Sequence, residues 1–237
     1  MKEEETLSCG ITIFAGRFGS GKTEVAINFA VSLASRADLG PSAPGVLLID
    51  LDVVTPYFRL REMAQEMSGK GVQVIAPAEV GRYLDTPAIT PQILGAIQQL
   101  SRPVVIDVGG DRQGARVLGL YSPSIRHRGY VLHFVVNPYR PFTDTLEGLV
   151  RSISEIEAGA RLRVSSLVSN PNLCEETTLE HIRVGHARIE GFAQELGLPI
   201  AFIGVERRWV ESLRGNEFQQ PVLALDRHFV MAWEQTA

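Results

Sequence analysis

The stretch that most constrains this chain is GRFGSGKT, from Gly16 to Thr23. Gly16, Gly21, Lys22 and Thr23 fit the pattern G-x-x-x-x-G-K-[ST]. An apolar run, GITIFAG (Gly10–Gly16), comes just before it, and an amphipathic pattern follows at once. Gly16, Gly19, Ser20 and Gly21 allow backbone N–H groups to turn inward around an anion, and the following helix adds its positive end. Lys22 reaches outer phosphates and Thr23 offers its hydroxyl to Mg²⁺. A strand that enters a helix through such a turn belongs in a layered α/β fold.

The rest of the chain agrees. GVLLIDLDVV (Gly45–Val54), VQVIAP (Val72–Pro77), PVVIDVGG (Pro103–Gly110), YVLHFVVN (Tyr130–Asn137), RVSSLVSN (Arg163–Asn170) and PIAFIGV (Pro199–Val205) read as further strands. Several are apolar at nearly every position, as expected of parallel strands covered on both faces. In the helix after the glycine turn, Val25, Phe29 and Leu33 recur at four-residue spacing, as do Ala26, Ala30 and Ala34. Further helical patterns cover Arg59–Met67, Pro91–Leu100, Thr145–Ala158 and Thr178–Leu196. The alternation predicts one α/β domain over residues 1–237, a doubly wound, mainly parallel sheet with helices on both faces.

Composition excludes some functions. The net charge of −4 lacks the basic excess of a nucleic-acid binder. The two cysteines, Cys9 and Cys174, lie far apart, so no iron–sulfur cluster is expected within one chain. The acidic start, MKEEETLSCG, lacks a signal-peptide pattern, and no apolar run reaches membrane-spanning length. A soluble, cytoplasmic protein is expected.

A phosphate loop that uses a metal also needs carboxylates. Asp107 ends an apolar strand and precedes Gly109 and Gly110, which suits Mg²⁺ held through water and a glycine N–H close to a γ-phosphate. Asp50 and Asp52 are two apart on a strand and share a face. Either one of them orients an attacking water, with Asp52 also near the metal, or both are simply solvated at the strand's open end.

With these residues the chain resembles the MinD/ParA/ArsA group of P-loop ATPases, which have a deviant Walker A motif. GKTEVAINFAVSLA is similar to that group's G-K-T-x-x-x-x-N-L-A-x-x-L-A, Asn28 included; VLLIDLD resembles its second strand and VVIDVGG its Walker B region. IGVERRWVESLRGNEFQQPVLAL is similar to its C-terminal purine-side segment. The resemblance implies a SIMIBI-like P-loop ATPase that binds ATP and Mg²⁺, closes an ATP-dependent homodimer and acts on an unidentified partner protein. The group's signature Lys stands here as Arg17, followed by Phe18 where Gly is usual. Arg17 either reaches a partner's phosphates in trans or folds back onto carboxylates of its own surface. Asn170 matches the group's adenine-contacting Asn. No N-K-x-D follows it, which favours ATP over GTP. Val205 and Glu206 stand where the group often has a proline beside the purine.

What the switch drives stays open between classes. One is an ATPase acting on a partner protein. A second is an ATP-dependent ligase or kinase like dethiobiotin synthetase, with Arg112 and Arg140 beside the γ-phosphate. The third, a DNA- or membrane-positioning ATPase, fits least. The basic stretch RQGARVLGLYSPSIRHRG could touch phosphate, a partner or nucleic acid, or form a solvated helix face, and the C-terminal segment with Phe229, Val230, Met231 and Trp233 carries little positive charge. Tyr57, Phe58, Arg59 and Arg61 form either an effector surface or ordinary packing.

Overall fold

The structure is a computed structural model that describes residues 10–35, 45–52, 63–75, 90–99, 101–213 and 217–228. Cys9, the Tyr57–Arg61 surface and the apolar C-terminal residues from Phe229 onward lie outside the described residues.

Eight strands form one sheet: β1 (Ile11–Ala15), β2 (Val46–Leu51), β3 (Val72–Ile75), β4 (Val104–Val108), β5 (Val131–Val136), β6 (Ser166–Ser169), β7 (Ile200–Glu206) and β8 (Val222–Leu225). Their order is β3-β2-β4-β1-β5-β6-β7-β8, and every neighbouring pair is parallel. The expected doubly wound sheet is therefore present, and among the described residues it is parallel throughout rather than mainly. The helices are α1 (Lys22–Ala34), α2 (Ala64–Gly69), α3 (Pro91–Gln98), α4 (Arg112–Arg128), α5 (Leu146–Ala160), α6 (Leu179–Leu196) and α7 (Arg207–Val210).

Side chains along each strand alternate between two cores. Ile11, Ile13 and Ala15 of β1 join Leu47, Ile49 and Leu51 of β2 on one face, where α3, α4, α5 and α6 pack. Phe14, Val46 and Leu48 point to the other face and meet Val25, Ala26, Ile27 and Ala30 of α1 and Met67 of α2. Both faces are apolar because both are covered.

That layering places the site. β1 and β4 are neighbours, yet the helices that follow them, α1 and α4, lie on opposite faces of the sheet. The loops leaving these two strands therefore part and open a crevice at their carboxyl ends, where open α/β sheets receive ligands.

Candidate nucleotide site

The turn after β1 is shaped by its glycines. Gly19 and Gly21 have φ of +78° and +81°, values that side chains disfavour. A Cβ on Gly21 would also come within 2.3 Å of the Asn170 amide nitrogen, so glycine is required there twice over. Ser20 N donates to Arg17 O at 3.0 Å and closes the turn. Asn170 Nδ2 donates to Ser20 O at 2.7 Å from the end of β6. Asn170 is thus buried beneath the loop and braces it, and it also lines the cleft. A Cβ on Gly16 would press on Val135 O and Ser20 Oγ at 2.7 Å, so the turn rests tightly on β5.

Lys22 and Thr23 open α1 and meet the strand-end carboxylates. Lys22 Nζ pairs with Asp52 Oδ2 at 2.9 Å, with both side chains nearly buried. Thr23 Oγ1 donates to Asp107 Oδ2 at 2.7 Å. Asp50 and Asp107 are register partners on β2 and β4, and Asp52 N donates to Asp50 Oδ1 at 2.9 Å. Asp50 therefore holds the end of β2, while Asp52 turns to the lysine. Of the pair, only Asp52 lines the cleft. Gly109 and Gly110 let the loop after β4 come close: a Cβ on Gly110 would lie 2.8 Å from Phe18 N, and one on Gly109 would lie 3.2 Å from Asp52 Oδ1.

The electrostatics follow from this crowding. Three carboxylates, of Asp50, Asp52 and Asp107, surround the Lys22 ammonium. Burial pulls the Lys22 pKa down, but the charges of Asp107 and Asp52 outweigh it and hold the lysine above its ordinary value. Burial and the neighbouring Asp107 charge push Asp50 up to about 7. Burial raises Asp107 to about 6, against the pull of Lys22. Such a site is short of positive charge. Asp107 Oδ1 is buried and meets no partner, so an acceptor waits beside the Thr23 hydroxyl. Among the described residues, no group of three His, Cys, Asp or Glu side chains could hold an ion unaided. Thr23 and Asp107 instead suit Mg²⁺, which commonly takes one or two protein oxygens and completes its shell with phosphate and water.

A cleft of about 780 Å³ runs from this loop past the ends of β5 to β8. Asn172, Cys174, Glu206, Leu225, Asp226 and Arg227 line its far end. Asn28 joins α1 to that end: Asp226 N donates to Asn28 Oδ1 at 2.8 Å, and Asn28 Nδ2 donates to Asp226 O at 2.9 Å. Glu206 pairs with Arg208 at 2.6 Å, and both carboxylate oxygens of Asp226 accept from Arg207.

Arg17 takes the second of its two expected positions. Its Nε donates to Ser152 Oγ at 2.8 Å, its Nη2 pairs with Glu155 Oε2 at 2.6 Å, and its guanidinium lies over the Phe142 ring. Phe18 beside it is 72% exposed. Arg140 lines the cleft as expected, but Arg112 is exposed at the start of α4 and does not. Asn137 and Phe142 line it too, and nothing in their sequence context announces them.

No protein-family model matches the chain, and no curated protein matches it. Among solved structures it is similar to chloroplast FtsY from Physcomitrella patens, with 16% identity and a TM-score of 0.50 over 82% of this chain and 58% of that one. It is likewise similar to the signal recognition particle receptor FtsY from Elizabethkingia anophelis in complex with GDP, with 17% identity and a TM-score of 0.50 over 82% of this chain and 57% of that one. The chain thus spans under three-fifths of the length of these structures. The likeness is one of fold, the α/β P-loop NTPase fold with a single parallel sheet, and it does not single out the MinD/ParA type that the sequence resembles.

Proposed function

We propose that the chain is a Mg²⁺-dependent ATPase, one domain over residues 1–237, that works in the cytoplasm as a nucleotide-driven dimerising switch on a partner protein. One observation carries this reading. The Thr23 hydroxyl and the Asp107 carboxylate, 84 residues apart in sequence, meet at 2.7 Å with an unpartnered, buried Asp107 oxygen beside them. Thr23 and Asp107 would hold Mg²⁺, which would supply charge neutralisation to the outer phosphates. The backbone N–H groups from Gly16 to Gly21 hold the phosphates. Lys22 is drawn from Asp52 to a γ-phosphate, which releases Asp52 Oδ2 to orient the attacking water. Asp50 keeps the Asp52 backbone in place. A fold neighbour, the signal recognition particle receptor FtsY from Elizabethkingia anophelis, supports the switch reading in outline.

The GDP in one neighbour favours guanine as a second reading. Guanine recognition calls for an uncommitted carboxylate, but Asn170 and Asn172 follow β6, while Glu206 and Asp226 are bonded to arginines. That supports adenine. Competition binding with a fluorescent nucleotide in Mg²⁺ tests both points. ATP binds at least tenfold tighter than GTP, and Lys22→Ala weakens ATP at least tenfold. Equal affinity of Lys22→Ala and the parent would overturn the nucleotide reading, and tighter GTP would replace adenine with guanine. A shift from monomer to dimer on adding ATP to Asp52→Asn, followed by light scattering, tests the switch; a persistent monomer counts against it.

A further inference from the structure

The cleft holds a cation that the phosphate loop pattern does not contain. Arg140 stands on the turn after β5, and that turn is fixed from within. Arg140 N donates to Asn137 O at 3.2 Å, and the fully buried Thr143 donates its hydroxyl to the same oxygen at 2.7 Å. Asn137 Nδ2 in turn donates to Asn172 O at 2.8 Å and points to Gly19 O at 3.5 Å. The Arg140 stem lies against Gly19: a Cβ there would meet Arg140 Nε at 3.3 Å and Cδ at 3.4 Å. The tip of the phosphate loop and Arg140 are therefore packed on each other, and the φ of +78° at position 19 favours glycine there.

The other cations of the cleft are engaged. Lys22 pairs with Asp52, Arg17 with Glu155 and Arg227 with Glu175. Among the described residues, no carboxylate lies within ion-pair distance of Arg140, and its Nε is buried with no hydrogen-bond partner. A buried donor on a charged group is costly to leave unmatched, so an acceptor is called for beside it. Its neighbour there is Gly19 of the phosphate loop. We propose that Arg140 is a further phosphate-binding residue, which clamps the phosphate end of the bound nucleotide from the β5 side, opposite Lys22. A guanidinium suits this role because its planar donors match phosphate oxygens and its position is set before the ligand arrives. The proposal rests on the nucleotide reading above.

Arg140→Met tests it, since methionine keeps a stem against Gly19 and removes the charge. Affinities for Mg–ATP, ADP and adenosine are measured for the parent, Arg140→Met, Arg140→Lys and Lys22→Ala, with thermal melting without nucleotide to confirm folding. Arg140→Met weakens ATP and ADP at least tenfold and leaves adenosine within twofold, and Arg140→Lys recovers part of the loss. If Arg140→Met binds ATP and ADP as the parent does while Lys22→Ala does not, Arg140 is no clamp and the nucleotide reading stands. If adenosine weakens as much as ATP, Arg140 serves the shape of the cleft and the proposal falls. If Lys22→Ala also binds as the parent does, the nucleotide reading falls and takes the clamp with it.

Discussion

Arg128 sits at the last turn of α4 and donates to four backbone carbonyls: Arg102 O at 2.6 Å, Ile97 O at 2.9 Å, Gly10 O at 3.1 Å and Ala96 O at 3.3 Å. It ties the end of α3 to the amino-terminal ends of the central strands β1 and β4, away from the cleft at their carboxyl ends. Removing a donor that serves several part-buried carbonyls leaves them unmatched, so Arg128→Met is expected to lower stability by about 2 kcal/mol. Urea unfolding measures this, and an unchanged midpoint would show that water replaces the arginine without cost. In sequence Arg128 is one of several arginines in a basic stretch, open to readings from solvated surface to nucleic-acid contact. Its carbonyl partners have no sequence signature. Lys22 and Thr23 were legible because a glycine turn into a helix needs those residue types at those spacings, and Asp107 because it ends an apolar strand just before two glycines. Arg140 was read beside a γ-phosphate under one function class alone and Asn137 not at all; their contacts with the loop tip were not legible, because Gly19 lies more than a hundred positions away.

Among the elements, α4, the single-turn α7 and β8 were missing from the sequence-based assignment. α4 carries Gly114, Gly119 and Pro123, all poor helix formers. The glycines are there for contact rather than propensity. A Cβ on Gly119 would come within 2.4 Å of Gly159 O on α5, and one on Gly114 within 2.5 Å of Gly109 Cα. The sequence thus weakens its own helical signal in order to bring α4 against α5 and against the loop after β4. β8 is only four residues long, at the sheet edge, and its place is set by pairing with β7. α5 has a second role, since its Ser152 and Glu155 hold Arg17. If Arg17 crosses to a partner's phosphates when ATP closes the dimer, that hold must break first. The pair is partly solvated, so its cost is small. Glu155→Ala is then expected to leave ATP affinity within twofold and to raise the dimer fraction at a fixed ATP concentration, as followed by light scattering. A dimer fraction equal to the parent's would show that Arg17 stays on its own subunit.

At the scale of the whole molecule, the site opposes the fold that holds it. Asp50 titrates at about 7 because burial and the Asp107 charge disfavour its carboxylate. In the unfolded chain it titrates near 4. Between these values the native protein keeps a proton that the unfolded chain has released, so its stability is present below about pH 4 and is lost as pH rises through 7. His133 works the other way. Buried in β5 beside Phe14, with Nδ1 2.6 Å from Ser166 Oγ, it is pushed down to about 4 by burial. Below about pH 6.5 the unfolded chain takes up a proton that native His133 refuses, so acid weakens the fold through this residue. The pH profile of the parent therefore mixes opposed contributions, and a difference between two proteins is needed to separate them. Asp50→Asn keeps an oxygen for Asp52 N and removes the charge. His133 is common to both proteins and cancels. The variant is expected to gain about 2 to 3 kcal/mol on the parent between pH 5 and pH 8, from the shift of the Asp50 pKa alone. Urea unfolding at the two pH values, with a chelator and without nucleotide, measures it. A difference that does not change with pH would mean that Asp50 is not strained in the native protein. If the gain is found, adding Mg–ATP should erase part of it, because a cation beside Asp107 relieves the same repulsion that raises Asp50. Nucleotide binding would then stabilise the parent more than Asp50→Asn at pH 8, and equal stabilisation of the two would break the link between the crowded carboxylates and the metal.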